Sequence, residues 1–164
     1  MKPPRKSQKK ANFPHHFPLI RRFSRIFVAH LTLIMNKETQ RLIDTVIAGI
    51  QEKKGRDIVV ADLTETDSSI CEAFVICTGG SPQQVQAVAQ SIGETALEQL
   101  NARPLAVDGM RGAMWVAMDY GQLIVHVMLP DTRTFYDIEH LWADASLTAI
   151  PDVDALPASP YKPF

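Results

Sequence analysis

Two cysteines, Cys71 and Cys77, are all that the 164 residues contain. With five residues between them, no second pair and no clustered histidine, they suggest neither a zinc site nor a disulfide framework, and reduced thiols are the default. Apolar runs are short as well. None reaches the roughly 18 residues that a membrane-spanning helix needs, so no membrane partner is expected. Also missing are paired carboxylates on neighbouring strands, which two-metal nucleotidyl chemistry uses to hold its ions close together. The one Asp-x-Asp, Asp152-Val153-Asp154, falls in a proline-rich stretch that cannot hold it rigidly, and Asp119 stands alone. No metal and no cofactor is expected. Acids are absent from residues 1–35, which contain eight Lys and Arg, leaving nine basic against all 18 acidic residues for the rest. A globular part near −9 lacks the basic stripe of a phosphate-driven grip, which argues against DNA and suits a basic protein partner better.

The basic residues at the start, Lys2 to Lys10, precede Leu19, Ile20, Phe23, Ile26, Phe27, Leu31 and Ile34 at roughly helical spacing, with Arg21, Arg22 and Arg25 between them. An organelle transit peptide and a signal peptide are both readable, though His30 interrupts the apolar run and no Ala-x-Ala site follows. The favoured reading is a disordered arm, or an upstream extension of the frame before Met35, on a cytoplasmic protein. Mitochondrial location is the alternative.

From Asn36 the pattern is clean. Asn36 caps a helix with Leu42, Ile43, Val46, Ile47 and Ile50 on one stripe, and Lys53-Lys54-Gly55 ends it. Asp57 to Leu63 and Ala73 to Thr78 read as short buried strands. Ser81-Pro82-Gln83-Gln84 is a capping box opening an amphipathic helix that buries Val85, Val88, Ala89, Ile92, Ala96, Leu97 and Leu100. Pro104 to Val107 gives a third strand and a hairpin the fourth and fifth. Thr134 with Asp137 then caps a short helix presenting Phe135, Ile138, Leu141 and Trp142. The tail, residues 150–164, is proline-rich and reads as disordered. The expectation is an α/β domain over residues 36–149, a mixed five-stranded sheet flanked by helices, with a right-handed parallel crossover through residues 81–101.

The hairpin carries the functional question. Taking Tyr120 and Gly121 as its loop, Met118 faces Leu123, Val116 faces Val125 and Met114 faces Val127 on a side that reads as core. The other side pairs Asp119 with Gln122, Ala117 with Ile124, and Trp115 directly with His126. Aromatics with polar tips are enriched at interfaces, yet Trp115 is also compatible with plain core. His126 finds no Cys, second His or Ser nucleophile at local spacing, and Asp119 is a common turn starter. Core and interface both stay open. Gly79-Gly80-Ser81 before a helix could cradle a phosphate, but it lacks the Lys-Ser/Thr of a phosphate loop and the third glycine of a dinucleotide fingerprint.

The blocks DIVVADL, FVICTGGS, RPLAVDG, WVAMDYGQLIVHVM and RxFYDIExLW, in this order, resemble the ribosomal silencing factor family, also called RsfS or Iojap-like. The resemblance runs from about Asn36 to Asp144; Asp108 stands where many relatives have Glu. It implies a nucleotidyltransferase-like α/β fold without catalytic carboxylates and a protein that is not an enzyme. It implies binding to the large ribosomal subunit through ribosomal protein L fourteen, blocking small-subunit joining and lowering translation when nutrients are short. Organelle members are tied instead to large-subunit assembly. Carried over by position, the contact surface is Trp115, Asp119, Tyr120 and His126, with Met128, Arg133 and Tyr136 as its margin. Apolar residues on an exposed sheet face also permit a homodimer. The alternative is a nucleotide-binding or nucleotidyl-transferring enzyme using Gly79, Gly80 and Ser81.

Overall fold

The computed structural model describes residues 36–66 and 70–155. The basic leader and the end of the tail, residues 156–164, lie outside the described residues.

Asn36 accepts the Glu38 N–H through its side chain and opens α1 (Lys37–Glu52), whose predicted stripe is buried throughout. Strands β1 (Arg56–Asp62) and β2 (Ala73–Thr78) follow, antiparallel to each other. Helix α2 (Pro82–Leu100) is capped by Ser81, whose Oγ accepts the Gln84 N–H. Gln84 does more than complete the expected box. Its Oε1 accepts the Gly80 N–H rather than that of the cap residue, while its Nε2 donates to the carbonyls of Lys53 and Lys54, joining the end of α1 to the start of α2.

Then come β3 (Ala106–Asp108), β4 (Trp115–Asp119), β5 (Leu123–Met128), α3 (Pro130–Tyr136), a 3-10 turn at Ile138–His140, β6 (Ser146–Ile150) and a 3-10 turn at Val153–Ala155. The sheet has six strands in the order β3-β4-β5-β2-β1-β6, one more than the sequence suggests. The extra strand is β6, which pairs antiparallel with β1 from Ile58↔Ile150 to Asp62↔Ser146. Its side chains are exposed or half-buried, so no apolar run announces it, and its last residue lies beyond the expected domain end. Strand β2 runs parallel to β5, and through β5 and β4 the direction of β3 also matches that of β2. The chain from β2 through α2 thus returns parallel, with β5 and β4 lying between the two strands rather than next door.

The two sheet faces differ. One packs under α1 and α2 and contains Ile58, Val60, Val75, Cys77, Val116, Met118, Val125 and Val127. The other holds a smaller cluster of Ala61, Leu63, Cys71, Phe74, Ile76, Met128 and Ile138, with Trp115, Ile124, Trp142 and Ala145 packed against it. Short segments rather than a full helix layer cover this second face, and it carries the candidate site.

Candidate docking face

The hairpin turns at Gly121-Gln122, one residue later than the sequence reading. Tyr120 donates its N–H to the Leu123 carbonyl at 2.9 Å, Asp119 Oδ1 accepts the Gly121 N–H at 2.7 Å, and Gly121 takes φ +89°. Tyr120 is drawn out of the loop because its ring is buried in the main core. The register therefore shifts by two: Met118 faces Val125, Val116 faces Val127, and Trp115 faces Met128, with His126 across from Ala117. A shift of two preserves which face each side chain points to, so the two-faced reading of the strands holds while the pairing does not. Met114, expected in the core, lies before β4 and is 60% exposed.

Trp115 and His126 still meet, diagonally. The indole Nε1–H donates to His126 Nδ1 at 3.1 Å, so that ring nitrogen carries no proton in this arrangement. His126 is 4% exposed and sits edge-on to Phe74, centroids 5.0 Å apart, and Phe74 packs in turn against Trp142 at 5.0 Å. Outward from His126, Trp115 lies 4.9 Å from Tyr136, and Tyr136 lies 5.0 Å from Phe135. Six rings thus run without a break from the interior to the surface. Tyr136 is 37% and Phe135 75% exposed, and Met114 is tied nearby by its carbonyl to the Leu129 N–H. The backbone beneath is tight: at Gly109, with φ +88°, a Cβ would stand 1.9 Å from the Trp115 carbonyl oxygen.

Helix α3 starts five residues earlier than the Thr134 cap suggests, with Leu129 in the cap position and Pro130 first in the helix, and it ends at Asp137, which takes φ 40°. Arg133 governs it. Its Nε and Nη2 grip both oxygens of Glu139 at 2.9 and 2.6 Å, and Nη1 donates to the Asp57 carbonyl at 2.6 Å and Thr78 Oγ1 at 2.8 Å. The two charged side chains are only 12% and 14% exposed. Burial pulls the guanidinium pKa down, but the bond and charge of Glu139 outweigh it and the group is held charged. An open groove of about 490 Å³ beside this clamp is lined by Asp57, Asp137, Glu139 and Thr134 among others.

The proposed contact residues therefore separate by position. Trp115, Asp119 and Tyr136 reach solvent; Tyr120, His126 and Met128 are buried in the isolated chain; Arg133 is an internal strut. Met114 and Phe135 are the exposed apolar members that the contact set omits. Phe135 is discoverable from its place beside Tyr136, but helical spacing alone does not say which side of so short a helix faces outward. Asp152 and Asp154 turn out to be held: Asp152 Oδ1 accepts the Asp57 N–H, and Asp154 pairs with Arg56 at 3.0 Å. At the candidate phosphate turn, the Gly79 N–H is given to the Met128 carbonyl and the Gly80 N–H to Gln84. A Cβ at Gly79 would come within 2.8 Å of the Val85 side chain, so packing alone explains that glycine. Among the described residues no three His, Cys, Asp or Glu side chains are placed to hold a metal ion.

Residues 36–162 match the family described as "Ribosomal silencing factor during starvation". The chain is 38% identical over 100 residues to the ribosomal silencing factor RsfS of Bacillus subtilis, covering 61% of this chain and 83% of that protein. It is also similar to the mouse protein named "Mitochondrial assembly of ribosomal large subunit protein 1", 27% identical over 103 residues and covering 61% of this chain and 44% of that protein. A solved structure from Chromobacterium violaceum aligns with a TM-score of 0.59 at 34% identity, over 63% of this chain and 85% of that one.

Proposed function

Because the chain belongs to the ribosomal silencing factor family, we propose that it represses translation by seating its aromatic face on the large ribosomal subunit and keeping the small subunit from joining. It does so without catalysis. The observation that carries this reading is the unbroken run of rings from Phe74 to Phe135. Rings fixed from behind by packing and by the Trp115–His126 bond lose little freedom on binding, which is what an interface anchor requires. Trp115, Tyr136, Phe135 and Met114 form the contact, and Asp119 lies at the far end of the hairpin. Tyr120, His126 and Met128 support the surface from below.

The acidic balance of the chain beyond residue 35 suits a basic partner, and the resemblance points to ribosomal protein L fourteen as that partner. The name of the mouse relative also supports a large-subunit partner. We place the action in the cytoplasm, with mitochondrial large-subunit assembly as the second reading, since the basic leader is compatible with import; sequencing the mature N-terminus separates these. A homodimer through the same face would compete with ribosome binding. For a nucleotide enzyme at Gly79 to Ser81, the committed N–H groups leave little to offer a phosphate.

Co-sedimentation with purified large subunits, together with light scattering of subunit joining, tests the proposal. Phe135→Ala and Trp115→Ala weaken binding by on the order of 30-fold each, as truncating a central anchor costs about 2 kcal/mol, and they relieve the block on joining. Native circular dichroism with undiminished binding in both variants would overturn the assignment of this face.

A further inference from the structure

Strand β1 slips by one residue against β2 between Arg56↔Thr78 and Val59↔Ile76. Asp57 sits in that bulge with φ 50°, a left-handed backbone that a non-glycine side chain adopts only when its surroundings hold it there. The bulge turns both peptide groups of Asp57 out of the ladder, and each is taken by a different part of the chain. Its N–H donates to Asp152 Oδ1 at 3.0 Å, just beyond β6. Its carbonyl accepts from Arg133 Nη1 at 2.6 Å, in α3. Arg56, one residue earlier, pairs with Asp154 at 3.0 Å.

We propose that Asp57 is a junction through which the segment after β6 fixes α3, making Pro151 to Asp154 a latch on the aromatic face and Asp152 and Arg133 its positioning residues. The inference rests on reading that face as the ribosome-binding surface. Helix α3 has seven residues and buries none of them. Such a helix is far below the length at which an isolated helix is stable, and with no fully buried residue its placement rests on polar bonds beside the packing of Tyr136 on Trp115. Those bonds converge on Arg133: a two-pronged grip on Glu139, one bond to Thr78 on β2, and the bond to Asp57. Thr78, the last residue of β2, pairs with Arg56, the first of β1, beside the bulge, so the strut and the latch meet at one end of these two strands. Freeing Asp57 from Asp152 lets the bulge relax, moves the carbonyl that Arg133 holds, and loosens the helix that presents Phe135 and Tyr136.

Hydrogen–deuterium exchange on the full-length chain, read peptide by peptide, tests the latch beside large-subunit affinity. Asp152→Ala and Arg133→Lys each speed exchange of residues 133–137 by on the order of tenfold, the effect of one charge-assisted bond on local opening, while α1 and α2 stay protected. Combining the two adds little, because both act on one chain of bonds. Asp152→Asn keeps an acceptor oxygen and restores slow exchange. Affinity for large subunits falls in step with exchange. If Arg133→Lys frees α3 while Asp152→Ala speeds exchange only near residues 57 and 152, the latch is refuted. Should Phe135→Ala weaken binding while Asp152→Ala changes neither exchange nor affinity, the latch likewise fails and the docking face survives. Faster α3 exchange in both variants, with binding indifferent to them and to Phe135→Ala alike, supports the junction and rejects the docking face.

Discussion

Cys77 is fully buried in β2, and burial pushes its thiol from the ordinary 9.0 up to about 12; Cys71, also buried, is pushed up to about 11 by burial, and its S–H donates to the Ala73 carbonyl. Both thiols are therefore protonated and shielded near neutrality. An aromatic disulfide reagent at pH 8 reacts with neither in the native chain and with both after urea unfolding; rapid native labelling would contradict the burial. Raised folded values also set the direction of the pH dependence. The contribution of these thiols to stability is complete below pH 9.0, where unfolded thiols begin to ionise, and is lost as pH climbs through 11 to 12. Sequence spacing alone reads these cysteines as reduced thiols outside any disulfide framework, and both are free and buried. Tyr120 is not legible in the same way. Its hydroxyl is buried with no hydrogen-bond partner among the described residues, in a core position that turn statistics assign to a loop. Only the three-dimensional pull of that core on the ring decides the register of the hairpin.

Helix α3 misleads the sequence reading for a comparable reason. Thr134 three residues before Asp137 imitates a cap, whereas the true start is Leu129-Pro130 with no side-chain cap bond. Proline sets the first turn by its own geometry. Asp137 instead closes the helix in a left-handed conformation, and its Oδ1 lies 2.6 Å from His140 Nδ1. That hydrogen bond, reinforced by the Asp137 charge, raises the His140 pKa above 6.5. The contribution of the pair is complete below pH 6.5 and is lost as pH rises through the raised value. A proton titration of the His140 ring by NMR should find its midpoint above 6.5 in the native chain, returning to the ordinary range in Asp137→Asn. An identical midpoint in the two proteins would refute the coupling. Because His140 is exposed, the effect is local: it tunes the end of the segment that presents Phe135 and leaves global stability nearly unchanged.

Across the molecule, helices and central strands are readable because each carries a periodic apolar face, while β6 stays hidden because an edge strand holds on by its backbone. It contributes a five-residue ladder to β1 yet leaves Leu147 42% exposed. This makes the molecule's dependence on β6 testable. Ending the chain after Ala145 removes that ladder, turns β1 into an open edge and uncovers part of Ile58 and Val60, both fully buried in the intact chain. The ladder's net hydrogen bonds, about 1 kcal/mol each, are largely cancelled by the entropy of ordering its residues, so the loss of about 2 kcal/mol comes from the apolar cover taken off Ile58 and Val60. Urea denaturation reads it as a lower midpoint, and size-exclusion chromatography reads the bare β1 edge as self-association. Ending the chain after Ile150 instead keeps the ladder and removes residues 151–164, Asp152 and Asp154 among them. That chain keeps the urea midpoint of the intact protein, whereas its α3 exchange and its affinity for large subunits change. The pair of truncations thereby separates what β6 does for the sheet from what the residues after it do for the aromatic face.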